Sequence, residues 1–501
     1  MVTWRMIEPV TPSTPASPPG TDGPGSRPRK IGTMGMVVLA SLLPMLLWSC
    51  TPSDAASEAP QSPTALNPVS GSVPQPVSDP DGVTARDSVR GPIHNLAGEP
   101  LTTGLEQHGL SEGHFNRVKP LLGQAEATLI GIYQLISQGQ HRDALAQASQ
   151  LVREYPNFHL AHLVHGDLLS LRVRPVSEIG DVPATQMRAG ARQLADLRDE
   201  SRRRLLALTE RPPEGSVPAQ FLRLSNQSRH AIAVDASRSR LYLFENETRS
   251  NTSGQFGLPP QLKLLGDFYI SVGLSGIEKS VEGDKRTPLG VYYITSSLPP
   301  DKLPDLYGVG ALPINYPNPL DVQRGKTGSG IWLHGTPKEQ FVRAPQASDG
   351  CVVLSNPDLE KLLRTVQIRT TPVVIAPTLT WVKPADLEAE RLAFERTLES
   401  WRSAKSASQI EQFKSLYSPH LFESSREQEQ WWARHGSDLR QSHGQRDVTL
   451  KDVSILRWED SQDTMVVTFG EVAEGQRTGV TRRQYWKRED AQWKIFHEGT
   501  P

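Results

Sequence analysis

From about residue 112 to 210 apolar side chains recur three and four positions apart. Val118, Leu121, Leu122, Ala125, Leu129, Ile132, Leu135 and Ile136 fall on one helical face. Two more stretches of this kind, Arg142–Pro156 and Phe158–Gly166, meet at a proline and predict a helical hairpin. At His230 the period shortens. Ala231–Asp235, Arg240–Phe244, Phe268–Gly273 and Pro372–Ala376 are brief apolar runs between turn-forming residues, which predicts strands, with a short helix at Leu359–Leu363. Residues 297–328, rich in Pro, Gly and Asn and carrying Tyr307, Tyr316 and Asn318, interrupt the strands as a long insertion of the lid or binding-loop kind. Past 385 a helix with Leu387, Leu392, Phe394, Leu398 and Trp401 leads through further helical sequence to four alternating runs. These are Val448–Trp458, Thr464–Phe469, Thr478–Lys487 and Gln492–Phe496, a strand meander. The pattern predicts a multidomain chain: helical over 112–210, mostly β over 230–377 and α+β over 385–501.

The first 110 residues lack this periodicity. A Pro/Ser/Gly-rich opening ends in Arg27, Arg29 and Lys30, and Met36–Cys50 forms a short apolar core, the layout of an export signal rather than a membrane span. Leu47–Cys50 resembles a bacterial lipobox with Cys50 at the lipidation point; an uncleaved anchor and an ordinary signal peptide are the alternatives. Residues 51–110, rich in Pro, Ser, Ala and Asp, read as a flexible tether. Thr51 rather than aspartate after Cys50 resembles the sorting signal for the outer membrane. The expected location is therefore periplasmic, held by lipid, in a Gram-negative bacterium. A net charge of -1 provides no global field for nucleic acid. The two cysteines are Cys50 and Cys351, and with Cys50 at the end of the leader, Cys351 is a free thiol in an exported chain.

Gly328–Asn356 concentrates the candidate chemistry. Ile331–Leu333 is a short apolar run ending at His334, and Val352–Leu354 leads away from Cys351. A base at a strand end and a thiol after a glycine turn can meet on one rim of a sheet. A thiol with an ordinary pKa near ~8.5 needs such a partner before it attacks a carbonyl. The spacing alone leaves open a structural cysteine in a turn beside a structural histidine. His159, His162 and His165 share a helix face, but no carboxylate or cysteine pattern accompanies them, so they read as surface residues. Arg188, Arg192, Arg198, Arg202, Arg203 and Arg204 make 186–211 a basic helix, a solvated face or a contact for anionic polymer. Lys285 and Arg286 either contact a substrate carboxylate or are solvated.

His334-Gly335 followed by Ser348-Asp349-Gly350-Cys351 resembles the active-site motif of the L,D-transpeptidases, the YkuD-type catalytic domain, over about residues 230–377. Thr287–Gly290 resembles that family's T-P-x-G signature. Asp349 departs from the motif where a second histidine is usual, and Val353 where many members carry arginine; the variant is closer to the cell-shape-determining L,D-carboxypeptidases. The resemblance implies Cys351 as nucleophile, His334 as general base and Gly350 as an oxyanion N–H donor. Ser348 and Asp349 orient the site, and Lys285, Arg286, Thr287, Trp332, Gly335 and Asn356 contact substrate. The implied partners are peptidoglycan stem peptides, with no cofactor, no metal and no nucleic acid. The product is either a crosslink or a trimmed tripeptide. A catalytically degenerate, wall-binding lipoprotein is the non-enzymatic alternative. The helical hairpin resembles a tetratricopeptide unit, either a docking or dimerisation module or a helical spacer packed on the catalytic domain; 385–501 resembles an NTF2-like cone that either binds a wall fragment or supports packing or homodimerisation. Tryptophans 431, 432, 458, 486 and 493 line a pocket there or fill its core.

Overall fold

A computed structural model describes residues 112–501 apart from 183, 249–259, 422–425, 427, 434–446 and 462. The leader with Cys50 and the tether expected over 51–110 lie outside the described residues.

The 3.6-residue pattern becomes five helices: α1 Glu112–Val118, α2 Gln124–Ser137, α3 His141–Glu154, α4 His159–Ser170 and α5 Ala184–Thr209. Leu129, Ile130, Ile132, Tyr133, Ala144, Leu151, Phe158 and Leu160 close one core between them. The basic-helix reading of α5 needs a correction. Arg204 is 2% exposed and pairs with Glu126 of α2 at 2.9 Å and with Glu200 at 2.8 Å. Sequence periodicity marks that arginine as solvated because its partner Glu126 lies far away along the chain. Burial alone would raise the Glu126 carboxyl, but the charges of Arg240 and Arg204 outweigh it and hold the group below its ordinary value. Arg240 continues the network to Asp267 at 2.7 Å, so a buried ion cluster joins the helices to the next unit.

That unit is built on strands β3 His230–Asp235, β4 Arg240–Asn246, β5 Leu262–Tyr269, β7 Gly290–Tyr293 and β12 Pro372–Ala376; the short pieces β1 Val217–Pro218, β2 Phe221–Arg223 and β6 Val272–Gly273 fall before or among them. The main sheet runs β5-β4-β3-β12-β7, with β12 parallel to β3. Strands β8 Ala311–Pro313, β9 Trp332–His334 and β11 Val352–Val353 form a second small sheet in the order β11-β9-β8. β10 Gln346–Ser348 pairs with β6. Ile232, Val234, Leu241, Leu243, Leu312, Leu333, Val352 and Ile375 are buried between these layers, so the small sheet carrying the candidate residues rests on the main one. The expected long insertion folds into two 3-10 turns, β8 and the short helix α6 Pro319–Gln323. Helix α7 Asn356–Thr365 starts at a Ser355 cap and packs Leu359 and Leu362 inward.

After β13 Trp381–Val382 come α8 Glu388–Ser406 and α9 Ile410–Ser415, then β14 Val448–Trp458, β15 Thr464–Ala473, β16 Val480–Glu489 and β17 Gln492–Gly499. The four strands form the expected meander. Its fifth member is β2, from the chain ahead of the β unit, paired antiparallel with β14. Trp458 and Trp486 are buried, and Trp431, Trp432 and Trp493 pack on aromatic neighbours. One face of this sheet covers α8 through Trp486 and Trp401. The opposite face meets the main sheet through Leu456, Trp458, Tyr485 and Phe496 against Tyr242, Phe244 and Tyr293.

Candidate active site

Parallel pairing of β11 with β9 sets Val352 opposite Leu333 and Val353 opposite His334. One step back along β11, Cys351 stands level with Trp332. Opposed residues share a face, so His334 is the diagonal neighbour of Cys351, a separation of about 7 Å between backbones that an imidazole spans. The register thus places Cys351, the residue before β11, and His334, the last residue of β9, at one rim of the small sheet. Cys351 is half-buried, and its thiol donates to the Gly330 carbonyl at 3.5 Å. His334 is 3% exposed. Its Nδ1–H donates to the Gly335 carbonyl at 2.7 Å, which leaves Nε2 as the basic nitrogen.

The turn before the thiol is shaped by its own side chains. Ser348 Oγ donates to the Cys351 carbonyl at 2.6 Å and accepts the Gly350 N–H at 3.1 Å. Gly350 has φ +120°, and a Cβ there would lie 2.7 Å from the Arg286 carbonyl, so the tight turn requires glycine. Thr287, fully buried, donates to the Gly350 carbonyl at 2.9 Å and accepts the Gly273 N–H at 2.9 Å.

Four expected roles are corrected by this geometry. The Gly350 N–H is engaged by Ser348 and does not face a substrate oxyanion. Thr287 braces the turn from beneath. Asn356 accepts from the Thr336 N–H at 3.1 Å and donates to the Thr336 carbonyl at 2.9 Å, so it staples the chain behind His334. Gly335 is small because the Asn356 side chain crosses it, with Oδ1 only 2.1 Å from where a Cβ would sit. Each role depends on a local turn or an interstrand contact that residue type alone does not reveal. Of the remaining expected contacts, Trp332 is half-buried and lines the site. Lys285 and Arg286 are exposed; Lys285 pairs with Asp349 at 3.6 Å, and Arg286 donates to the Ile277 carbonyl at 2.8 Å.

Two residues complete the site that the motif did not nominate. Tyr307, from the insertion, lies 4.8 Å from the Trp332 ring and 4.9 Å from the His334 ring, edge-on to the latter. Arg343, from the loop between β9 and β10, has a half-buried guanidinium on which Cys351, Asp349 and Tyr307 all act electrostatically. That loop is gripped by the helical hairpin. Phe341 packs 4.6 Å from Phe158 and 5.1 Å from Tyr155, its N–H donates to the Asn157 carbonyl at 3.2 Å, and Asn157 Nδ2 donates to the Lys338 carbonyl at 2.8 Å. The sequence signal for Arg343 is an aromatic residue two positions from an arginine inside a polar spacer.

The electrostatics define a neutral dyad at rest. Burial pushes the Cys351 thiol up; the Trp332 N–H and the Arg343 guanidinium pull it down, while Asp349 adds to the rise. Burial pushes His334 down to about 4, the bond to Gly335 opposing and Arg343 reinforcing the fall. A neutral imidazole can act as general base toward a protonated thiol without a standing ion pair. Among the described residues no cluster of three His, Cys, Asp or Glu side chains could hold a metal ion.

Comparison with known proteins agrees with this architecture. Residues 229–375 match the L,D-transpeptidase catalytic domain (YkuD), and 393–499 match the Cds6 C-terminal NTF2-like domain. The chain therefore carries a YkuD catalytic domain followed by an NTF2-like domain. Among solved structures it is similar to Bd1075 of Bdellovibrio bacteriovorus, with 26% identity, covering 57% of this chain and 98% of that one, at a TM-score of 0.47. It is also similar to the helical cell shape determining protein Pgp2 from Campylobacter jejuni, with 22% identity over 56% and 95% and a TM-score of 0.44. An L,D-transpeptidase from Mycobacterium smegmatis aligns at 13% identity over 30% and 58%, with a TM-score of 0.19. No curated protein matches the chain in sequence.

Proposed function

We propose that this chain, with its L,D-transpeptidase catalytic domain, is a cysteine-dependent acyltransferase acting on peptidoglycan stem peptides. The observation that carries the reading is the diagonal placement of His334 beside Cys351, with Nδ1 committed to Gly335 and Nε2 left as base. In the first half-reaction Nε2 takes the thiol proton as sulfur attacks the carbonyl carbon of diaminopimelate in a tetrapeptide stem. The bond to the terminal D-alanine breaks, and its amine leaves with the proton held by His334. A thioester on Cys351 remains. In the second half-reaction His334 takes a proton from the acceptor, and the sulfur departs as the new acyl bond forms. Arg343 supplies the cation that holds a stem carboxylate and favours the thiolate, in a domain where Val353 leaves the strand without an arginine.

A side-chain amine of a second stem as acceptor gives a crosslink, the L,D-transpeptidase reaction, which we place first. Water as acceptor gives L,D-carboxypeptidase trimming. That second reading rests on Asp349, whose Ser-Asp-Gly-Cys setting resembles the carboxypeptidase branch and whose carboxylate stands exposed at the rim. Incubation of the pure protein with disaccharide-tetrapeptide, read by mass, separates them: a dimer identifies transfer, a tripeptide identifies hydrolysis, and unchanged substrate contradicts both and leaves a wall-binding lipoprotein. Lipidation at Cys50 and the tether would place this chemistry in the periplasm within reach of the wall. Globomycin-sensitive processing and metabolic labelling with a palmitate analogue test the anchor; a label that persists in Cys50→Ala contradicts it.

A further inference from the structure

Arg343 lies on the loop 335–345 between β9 and β10, and that loop belongs to two units at once. Phe341 and Val342, just before the arginine, pack in the helical core. Asn157, in the turn between α3 and α4, holds the same stretch twice. Its side chain donates to the Lys338 carbonyl at 2.8 Å, and its own carbonyl accepts the Phe341 N–H at 3.2 Å.

A second tether reaches Arg343 itself. Tyr269, the last residue of β5, is buried, and its hydroxyl donates to the Arg343 carbonyl at 3.0 Å. The Arg204 guanidinium of α5 lies 3.9 Å from the centre of the Tyr269 ring. It also lies 5.5 Å from the Phe158 ring, which packs on Phe341. Glu126 and Glu200 keep that buried guanidinium in place. One arginine of the helical region therefore stands where both routes to the loop begin.

The Arg343 guanidinium acts on Cys351, Asp349 and Tyr307 through its charge. Among the described residues its side chain makes no hydrogen bond or ion pair, so the backbone sets how far the charge stands from the sulfur. Coulomb energy falls with distance, and a displacement of about 1 Å near a reacting centre is enough to slow a reaction.

We infer that Tyr269 and Asn157 are positioning residues for the reaction at Cys351, the two tethers by which the helical region holds Arg343 against the thiol. The inference rests on the role given to Arg343 in the proposed reaction and extends it. The helices over 112–209 become a working part of the site rather than a spacer beside it.

The test reads the charge at the thiol without turnover. Iodoacetate and iodoacetamide are close in size and differ by one negative charge. The ratio of their rates at Cys351, followed in the full chain by peptide mapping at fixed pH, reports the cation beside the sulfur, whereas a change in access moves both rates together. Lys279, Lys285 and Asp349, the other charges near the thiol, stay the same in every variant. Arg343→Gln is expected to lower the ratio of iodoacetate to iodoacetamide about tenfold, Tyr269→Phe about threefold and Asn157→Ala about twofold. Tyr269→Phe keeps the ring beneath Arg204 and removes only the hydroxyl. Asn157→Ala removes one side-chain donor from a half-buried turn, and carries the test if Tyr269→Phe fails to fold. With Arg343 already replaced by glutamine, neither substitution is expected to change the ratio further. The proposal is overturned if both single variants keep the native ratio, or if either lowers it by the same factor in the Arg343→Gln background. Failure of the peptidoglycan reading shows separately, as unchanged tetrapeptide.

Discussion

The two walls of the Cys351 site are built differently. The inner wall is His334, Tyr307, Trp332 and Arg343, and each is pinned: the imidazole by Gly335, the tyrosine by ring packing, and the arginine's loop by Phe341 inside the helical core. The outer wall is Lys285 and Asp349, a pair 3.6 Å apart with side chains 51% and 83% exposed. Both walls carry a cation and an anion or base. Water and salt screen the outer charges, whereas those on the inner side act through a partly dry interior. Burial and bracing, more than residue type, decide which charges tune the thiol.

Substitutions across the two walls sharpen that contrast. Cys351→Ala has the largest expected effect: no turnover of tetrapeptide above background, with the thermal midpoint unchanged within a degree or two. His334→Gln comes next, with kcat/KM falling by about 10²–10⁴, the range for loss of a general base. Arg343→Gln is expected to cost about tenfold to a hundredfold, in keeping with a charge-assisted contact of about 1.5–3 kcal/mol. It also carries a pH signature. In the free enzyme the acid limb of kcat/KM is expected near 4, because burial pushes His334 down to about 4 and below that pH the protonated ring cannot accept a proton. The Arg343 charge holds both His334 and Cys351 down, so its removal moves the acid and alkaline limbs to higher pH. Asp349→Asn has the smallest effect, under about threefold given the screening of an exposed charge. Because Asp349 raises the thiol, its loss moves the alkaline limb slightly down. An Asp349→Asn defect larger than that of His334→Gln, in the same kinetic assay, would break the distinction between the walls.

Much of the fold was readable from period alone. Pro372–Ala376 appears with the bounds its apolar run suggested, and the four C-terminal strands follow their alternation. Strand β2 was not readable, because three residues carry no periodicity and its partner β14 lies more than two hundred positions on. Within the site, the histidine and the cysteine stood out through their spacing and glycine neighbours. Arg343 did not, since contacts from distant parts of the chain, among them Phe341 on the helical hairpin and the Tyr269 hydroxyl on the Arg343 carbonyl at 3.0 Å, position its loop. The Gly350 N–H reads as free on a motif basis, yet Ser348 two residues earlier takes it, a turn bond that propensity does not forecast. Arg204 shows the same limit for charge, since a basic helix face is legible and a partner from another helix is not.

The measurement that bears most directly on the account is the rate of covalent acylation by a carbapenem, followed by intact mass and located by peptide mapping. The account predicts one adduct per chain, on Cys351, absent in Cys351→Ala and formed at least about a hundredfold more slowly in His334→Gln. An adduct that forms equally fast without the imidazole, or no adduct at all on the native chain, would contradict the claim that His334 activates Cys351.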